Sequence, residues 1–215
     1  MIEVKRFQCN PFQENCFVVS DATGEAVVID PGAFFPEERQ AVTAYIRERG
    51  FTLRHILCTH GHLDHIFGVD TLHNDFGLSA RLHPADVPLY EHLNQQALAM
   101  LGITLKLTVP PAGAPLTPDE PVVFGQTQMH VIHTPGHSPG SVVLYIKDEA
   151  TAFSGDTLFR MSVGRTDLEG GSWEQLMDSL QTLAQLLPPE TKVLCGHGPA
   201  TTIGDELHYN PYMRV

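Results

Sequence analysis

The residues best equipped for chemistry are Thr59-His60-Gly61-His62-Leu63-Asp64-His65, where three imidazoles and a carboxylate fall within positions 60–65. His60 and His62 are two apart. That spacing points both side chains one way from a turn or an extended segment, but not from a helix. The pair therefore differs from the helical HExxH arrangement of zinc proteases. The stretch reads as a loop at the end of the apolar run Ile56-Leu57-Cys58. From it, His60 and His62 would reach one metal, and Asp64 and His65 a second beside it. Imidazole nitrogen suits zinc, iron and manganese, and carboxylate oxygen suits the harder of these.

Such a site needs more ligands, each in a Gly- or Pro-bounded loop after a strand. Thr134-Pro135-Gly136-His137-Ser138-Pro139-Gly140 supplies His137, Phe153-Ser154-Gly155-Asp156-Thr157-Leu158-Phe159 supplies Asp156, and Cys195-Gly196-His197-Gly198-Pro199 supplies His197. Loop histidines are usually solvated or held by hydrogen bonds, but seven potential ligands in four glycine-rich loops have no packing rationale. Taken together and in this order, the motifs resemble the metallo-β-lactamase fold superfamily, and within it the glyoxalase II-like (hydroxyacylglutathione hydrolase-like) metallohydrolases. The resemblance extends from Asp30-Pro31-Gly32 to Asn210-Pro211-Tyr212.

The resemblance implies a dinuclear centre of two divalent ions, zinc first, with iron or manganese as alternatives. Metal one would take His60, His62 and His137. Metal two would take Asp64, His65 and His197, and Asp156 would bridge them. Two adjacent ions share a water and lower its pKa toward neutrality, so no Ser or Cys nucleophile is required. Asp64 would be the catalytic acceptor of the water proton while remaining a ligand. The expected substrate is a small-molecule thioester such as S-lactoylglutathione. Gly164-Arg165-Thr166-Asp167 resembles the equivalent stretch of glyoxalase II-like and persulfide dioxygenase proteins. Arg165 reads either as a partner for a substrate carboxylate or as a loop brace paired with Asp167. Full-length glyoxalase II carries an extra helical domain after the last histidine. Only 18 residues follow His197 here, as in the shorter single-domain branch.

Other readings compete. A mononuclear iron persulfide dioxygenase would use only His60, His137 and Asp156. A lactone or other ester hydrolase would use the whole set. A non-enzymatic metal-binding module would be expected to lack a ligand, and all seven are present in the sequence.

Composition narrows the field. A chain of 215 residues with 42% hydrophobic residues can bury one substantial core, and no linker or charge run divides it, so a single domain over 1–215 is expected. A net charge of −12 with only 13 scattered Lys and Arg argues against a nucleic-acid partner and leaves room for neutral or cationic small substrates. No stretch reads as a signal peptide or a membrane span. Cys9, Cys16, Cys58 and Cys195 show no CxxC spacing and read as reduced packing residues of a cytoplasmic protein.

The positioning elements follow from periodicity. Strands are expected at 2–7, 16–19, 26–29, 54–58 and 80–83, then hairpins at 122–124/128–132 and 141–146/151–153, and a last strand at 192–194. Asp30, at the tip of a doubly covered strand, reads equally as a turn cap or, as the resemblance implies, as the group orienting a ligand histidine. Pro36 opens a helix that Gly50 ends. A second helix is expected from His65 to about Gly77, a third over 95–101, and a fourth from the cap Ser172 to Pro188. His73 reads as a surface residue, and His133 is left unassigned. This order matches the α/β class, and the resemblance refines it to a four-layer αβ/βα sandwich of two mixed sheets flanked by helices.

Overall fold

The computed structural model describes residues 1–213. The expected span 1–215 includes 214 and 215, which lie outside the described residues. Two mixed sheets pack face to face. The first runs β1 (Ile2–Cys9), β2 (Glu14–Asp21), β3 (Glu25–Ile29), β4 (Thr52–Leu57) and β5 (Ala80–Arg81), in that spatial order. β1, β2 and β3 are antiparallel, whereas β3, β4 and β5 are parallel. The second sheet contains β6 (Val122–Phe124), β7 (Thr127–His133), β8 (Val142–Ile146) and β9 (Thr151–Gly155). A two-stranded ribbon, β10 (Leu158–Phe159) and β11 (Ser162–Val163), follows before β12 (Lys192–Cys195) and β13 (Thr201–Thr202) complete that sheet. Its spatial order is β13-β12-β9-β8-β7-β6, with only β12 and β9 parallel.

The central strands are apolar without alternation because both of their faces are covered. In β2, Phe17 and Val19 point between the sheets while Val18 points outward; in β3, Val27 and Ile29 point inward while Val28 points outward. The inner layer also takes Val142, Leu144 and Phe153 from the second sheet, and Phe17 meets Phe153 edge-on at 5.3 Å between ring centroids. The outer face of the first sheet is covered by Val42 and Ile46 of α1 (Pro36–Glu48), by a short helix α2 (Leu63–Ile66), and by Val69 and Leu72 of α3 (Val69–Phe76). Two further helices, α4 (Val87–Glu91) and α5 (Leu93–Leu101), lie beyond them, and Ala97 joins this layer. The outer face of the second sheet takes Leu176, Leu180 and Leu183 of α6 (Trp173–Leu186) and Ile203 of α7 (Ile203–Tyr209). Each such leucine contributes roughly 1.5–3 kcal/mol by leaving water. Helices, two sheets and helices again make the four layers expected.

Several local devices match their sequence signals. Ser172 Oγ accepts from Gln175 N at the start of α6. At α1 it is Glu38 that ties the entry, accepting from the Phe34 and Phe35 amides through one oxygen and from Asn10 N through the other. One expectation changes. Helix α2 starts at Leu63, inside the histidine motif, so Asp64 and His65 leave a helical turn rather than a loop. It breaks at Gly68, so the expected long helix is two. Among the described residues no helix is long and apolar enough to cross a membrane.

Candidate metal centre

The four motif loops meet at one edge of the sandwich, where β4, β7, β9 and β12 deliver them. His60, His62, His65 and His137 are buried, Asp64 nearly so, and Asp156 and His197 partly. Three subsets, His60/His62/His137, His60/His65/Asp156 and Asp64/His65/His197, each bring one potential ligand atom per residue within 4.8 Å of the others. His62 Nδ1 lies 2.8 Å from His137 Nε2, and His65 Nε2 lies 3.3 Å from His197 Nε2. The Asp156 carboxylate faces both groups. Its Oδ2 is 3.5 Å from His137 Nε2 and 3.6 Å from His197 Nε2, and its Oδ1 is 3.3 Å from His65 Nε2.

The imidazole tautomers follow from what lies behind each ring. His137 Nδ1 donates to Arg165 O at 2.8 Å and His197 Nδ1 to Phe12 O at 3.0 Å. Thr59 Oγ gives its hydrogen to Asp30 Oδ2 at 2.7 Å, so its contact with His60 Nδ1 at 3.1 Å is accepted from the ring. His65 Nδ1 stands 3.1 Å from Asp30 Oδ2, an ion-pair distance at an angle too poor for a hydrogen bond. Four rings thus turn Nδ1 to oxygen and Nε2 inward. Backing of this kind is typical of metal-ligating histidine.

The inward ring nitrogens and the two carboxylates therefore converge on one space. His60 Nε2 and Asp156 Oδ1 are buried and have no hydrogen-bond partner. Leaving such atoms unpaired costs about 1–3 kcal/mol each. A divalent cation relieves this, and five imidazoles with two carboxylates are a chemically suitable donor set for zinc, iron or manganese. The electrostatics divide the site in two. Burial, reinforced by neighbouring imidazoles, holds His60 well below its usual range and takes His62 down to about 3, so both keep their lone pairs. Burial works against the charges of Asp64, Asp156, His65 and His197. Their mutual attraction overrides it, lowering the carboxyls and raising the imidazoles.

Backbone and buried polar groups fix this geometry. Of the two roles foreseen for Asp30, the carboxylate takes the one behind a ligand histidine: it stands 3.1 Å from His65 Nδ1 and accepts from Thr59 N at 2.6 Å, so it holds the histidine loop rather than capping its own turn. Asp86, which the sequence did not single out, joins two loops. It accepts from Gly61 N (2.8 Å), Ser138 Oγ (2.6 Å) and Gly140 N (2.6 Å). Asn10 Nδ2 donates to Gly32 O and Asp64 O, and Asn15 Nδ2 to Cys195 O and Gly198 O. Glu14 is wholly buried beside Asp30 and His65, with both oxygens unpartnered, and burial raises its carboxyl well above the usual range. For Asn15 and Glu14 the signal was faint, polar side chains just before the apolar run at Cys16, and Asp86 gave none. At Gly196 any Cβ would run into Asp156 Oδ1 and His65 Cε1, which explains the glycine before His197.

Residues outside the cluster are also placed. His133 stacks on His83 at 4.0 Å and contacts Pro139 O, and His73 contacts Leu78 O. All four cysteines are free and buried, and burial pushes Cys195 up to about 12. The Arg165 guanidinium pairs with Asp167 at 2.6 and 2.7 Å on the surface, the brace of the two readings. Exposed pairs of this kind contribute little. Arg165→Ala is therefore expected to leave kcat/KM within about threefold, because His137 is held by the Arg165 backbone carbonyl, which the substitution retains. Steady-state kinetics check this, and a large rise in KM alone would restore a substrate role.

Comparison with known proteins adds the family. A family model for the metallo-β-lactamase superfamily matches residues 9–197. The chain belongs to the metallo-β-lactamase superfamily. It is 35% identical to the probable metallo-hydrolase YqgX of Bacillus subtilis, over 97% of this chain and 96% of that one. It is 33% identical to the hydroxyacylglutathione hydrolase GloC of Haemophilus influenzae, over 94% and 93%. Among solved structures, BLEG-1, described as a B3 metallo-β-lactamase, superposes with a TM-score of 0.90 at 37% identity, covering 99% of this chain and all of that one. TTHA1623, solved in a di-iron-bound form, superposes at 0.85 and 41% identity, covering 97% and 100%. This superfamily member is a metal-dependent hydrolase by its relatives and its fold.

Proposed function

We propose that the chain hydrolyses thioesters, S-lactoylglutathione being the first to test, through a two-metal centre. The observation that carries this is the Asp156 carboxylate, which faces His137 on one side and His65 and His197 on the other. In this reading His60, His62 and His137 would hold one ion, Asp64, His65 and His197 would hold the other, and Asp156 would serve both. The imidazole-rich set favours zinc. Iron is the alternative, supported by the relative solved with two irons.

Two divalent ions held there would supply hydroxide at neutral pH and polarise the substrate carbonyl. The protein's own groups do the rest. Asp64, kept ionised by His65 and His197, is the acceptor for the proton released by water. The imidazoles of His60, His137 and His197 cannot swing away, because each Nδ1 is tied to oxygen by a hydrogen bond. A cavity of about 710 Å³ opens at His62 and receives the substrate, a size suited to a small molecule. The buried, free cysteines fit a reducing, cytoplasmic setting.

Loss of S-lactoylglutathione thioester absorbance tests the reading. Hydrolysis that a chelator abolishes is expected, whatever its rate relative to other thioesters. A second reading rests on one further observation: His137 Nε2 is 3.5 Å from Asp156 Oδ2 and the His60 and His137 rings are 4.8 Å apart, so two imidazoles and a carboxylate could hold a single iron for persulfide oxidation. Oxygen uptake with glutathione persulfide, and no hydrolysis, would favour it. The hydrolase name of GloC supports the first reading.

Metal removal should also show in stability. Ions that bind the folded chain a thousandfold above their Kd add about 4 kcal/mol. Chelation is expected to lower the melting temperature by roughly 10 °C, and scanning calorimetry with and without metal measures it.

A further inference from the structure

The thioester reading leaves open which thiol carries the acyl group, and the cavity wall bears on that. Beyond His62 the cavity is bounded on one side by α4 and α5 and on the other by Pro139 and residues 167–170. Among the described residues that line it there is no lysine and no arginine. The apolar part comes from Pro88, Leu89, Ala99 and Met100. The polar part is rich in acceptors. Glu169 brings a carboxylate, both Asp167 oxygens accept from Arg165, Gln95 adds a side-chain amide, and His92 donates from Nδ1 to Pro88 O at 2.6 Å, which leaves its Nε2 toward the solvent side. Gln96 lines the wall but is committed, its amide bonded to Gly61 O, Leu89 O and Leu63 N. Arg165, the nearest cation in sequence, is outside the lining and neutralised by Asp167.

An anionic carrier is recognised best by arginine forks or lysine charges, and a carboxylate brought to a wall whose uncommitted amide donor is the neutral Gln95 side chain gains little for the hydration it loses. Glutathione carries two carboxylates against one ammonium. Here such a carrier would meet the Glu169 carboxylate, in a chain whose net charge is −12. Like charge against a wall is also how binding sites reject the wrong partner. We infer that the cavity selects thioesters whose thiol part is neutral or cationic and partly apolar, and discriminates against anionic carriers such as glutathione. This rests on the thioester-hydrolase reading above. A neutral amide arm can donate its N–H to His92 or Glu169 while its methylenes lie on Leu89 and Met100. A cationic head gains the Glu169 carboxylate as well.

The test compares one acetyl group on three thiols: thiocholine (cationic), N-acetylcysteamine (neutral) and glutathione (anionic). With the metal-replete protein at low ionic strength, kcat/KM is expected to fall in that order, with at least about tenfold between thiocholine and glutathione. The ratio is expected to shrink toward unity near 0.5 M salt, because the wall is solvent-exposed. Glu169→Lys is expected to invert the order of the two charged carriers relative to the neutral one. Glutathione as the best carrier, or an order unmoved by both salt and Glu169→Lys, overturns the inference. Binding is read separately, by calorimetry with the uncleavable thioethers S-propylthiocholine, N-acetyl-S-propylcysteamine and S-propylglutathione. If no thioester is cleaved but the thioethers bind in the same order, the hydrolase reading fails and the cavity assignment stands. If none binds, or S-propylglutathione binds tightest, the assignment fails.

Discussion

Asp156→Ala is expected to lower kcat/KM by at least about three orders of magnitude, equivalent to about 4 kcal/mol of transition-state stabilisation, and to release at least one equivalent of metal. The size follows from where the carboxylate sits. Its two oxygens face His65, His137 and His197, so no other side chain can replace it between the two groups. Its removal also leaves the buried, raised imidazole of His65 with one fewer of the three carboxylates that favour its charged form. Metal content by emission spectroscopy and turnover on the same sample check the prediction together. Full metal content with full turnover would show that Asp156 does not bridge. His197→Ala separates the two positions, since it strips only the Asp64/His65 group.

The second large effect belongs to a residue that is expected to touch neither metal nor substrate. Asp86→Ala is expected to destabilise the protein by about 3–5 kcal/mol. It would leave Gly61 N and Gly140 N without their acceptor and Ser138 Oγ with Ser141 Oγ alone, and each unsatisfied buried donor costs about 1–3 kcal/mol. Gly61 and Ser138 flank His60, His62 and His137, so metal affinity is expected to fall with stability, by about 10–100-fold. Urea unfolding of metal-free protein isolates the first effect, and metal titration at low urea isolates the second. Gly140→Ala approaches from the other side, because its Cβ would press into the Asp86 carboxyl group. An Asp86→Ala variant with unchanged stability would mean that these bonds are replaced by water.

How much was legible depended on the kind of signal. The seven candidate ligands stood out because imidazoles and carboxylates in glycine-bounded loops have no packing purpose, and the structure brings all seven together. The α/β class was legible from runs such as Val27-Val28-Ile29 and Val142 to Ile146, apolar on both faces as strands covered on both sides must be, whereas the four layers followed only from the family resemblance. The helical turn at Leu63–Ile66 was not legible, since four residues carry no full period. Nor was the Asp86 clamp. Its partners are 25 to 54 residues away, and a carboxylate after His83-Pro84 looks locally like a helix cap. Glu14 and Asn15 looked like the end of a polar turn, yet β2 already begins at Glu14 and both side chains are buried under the site. Long-range polar contacts leave no periodic trace in sequence, and they are what hold this centre together.

The decisive measurement is a metal titration of activity. Chelator-stripped protein, refolded or intact by circular dichroism, is given zinc in steps while thioester cleavage is followed. The dinuclear reading predicts little turnover at the first equivalent and a breakpoint at two equivalents per chain, lost in His197→Ala. A breakpoint at one equivalent, unaffected by His197→Ala, would contradict it and leave His60, His137 and Asp156 as a single-ion site.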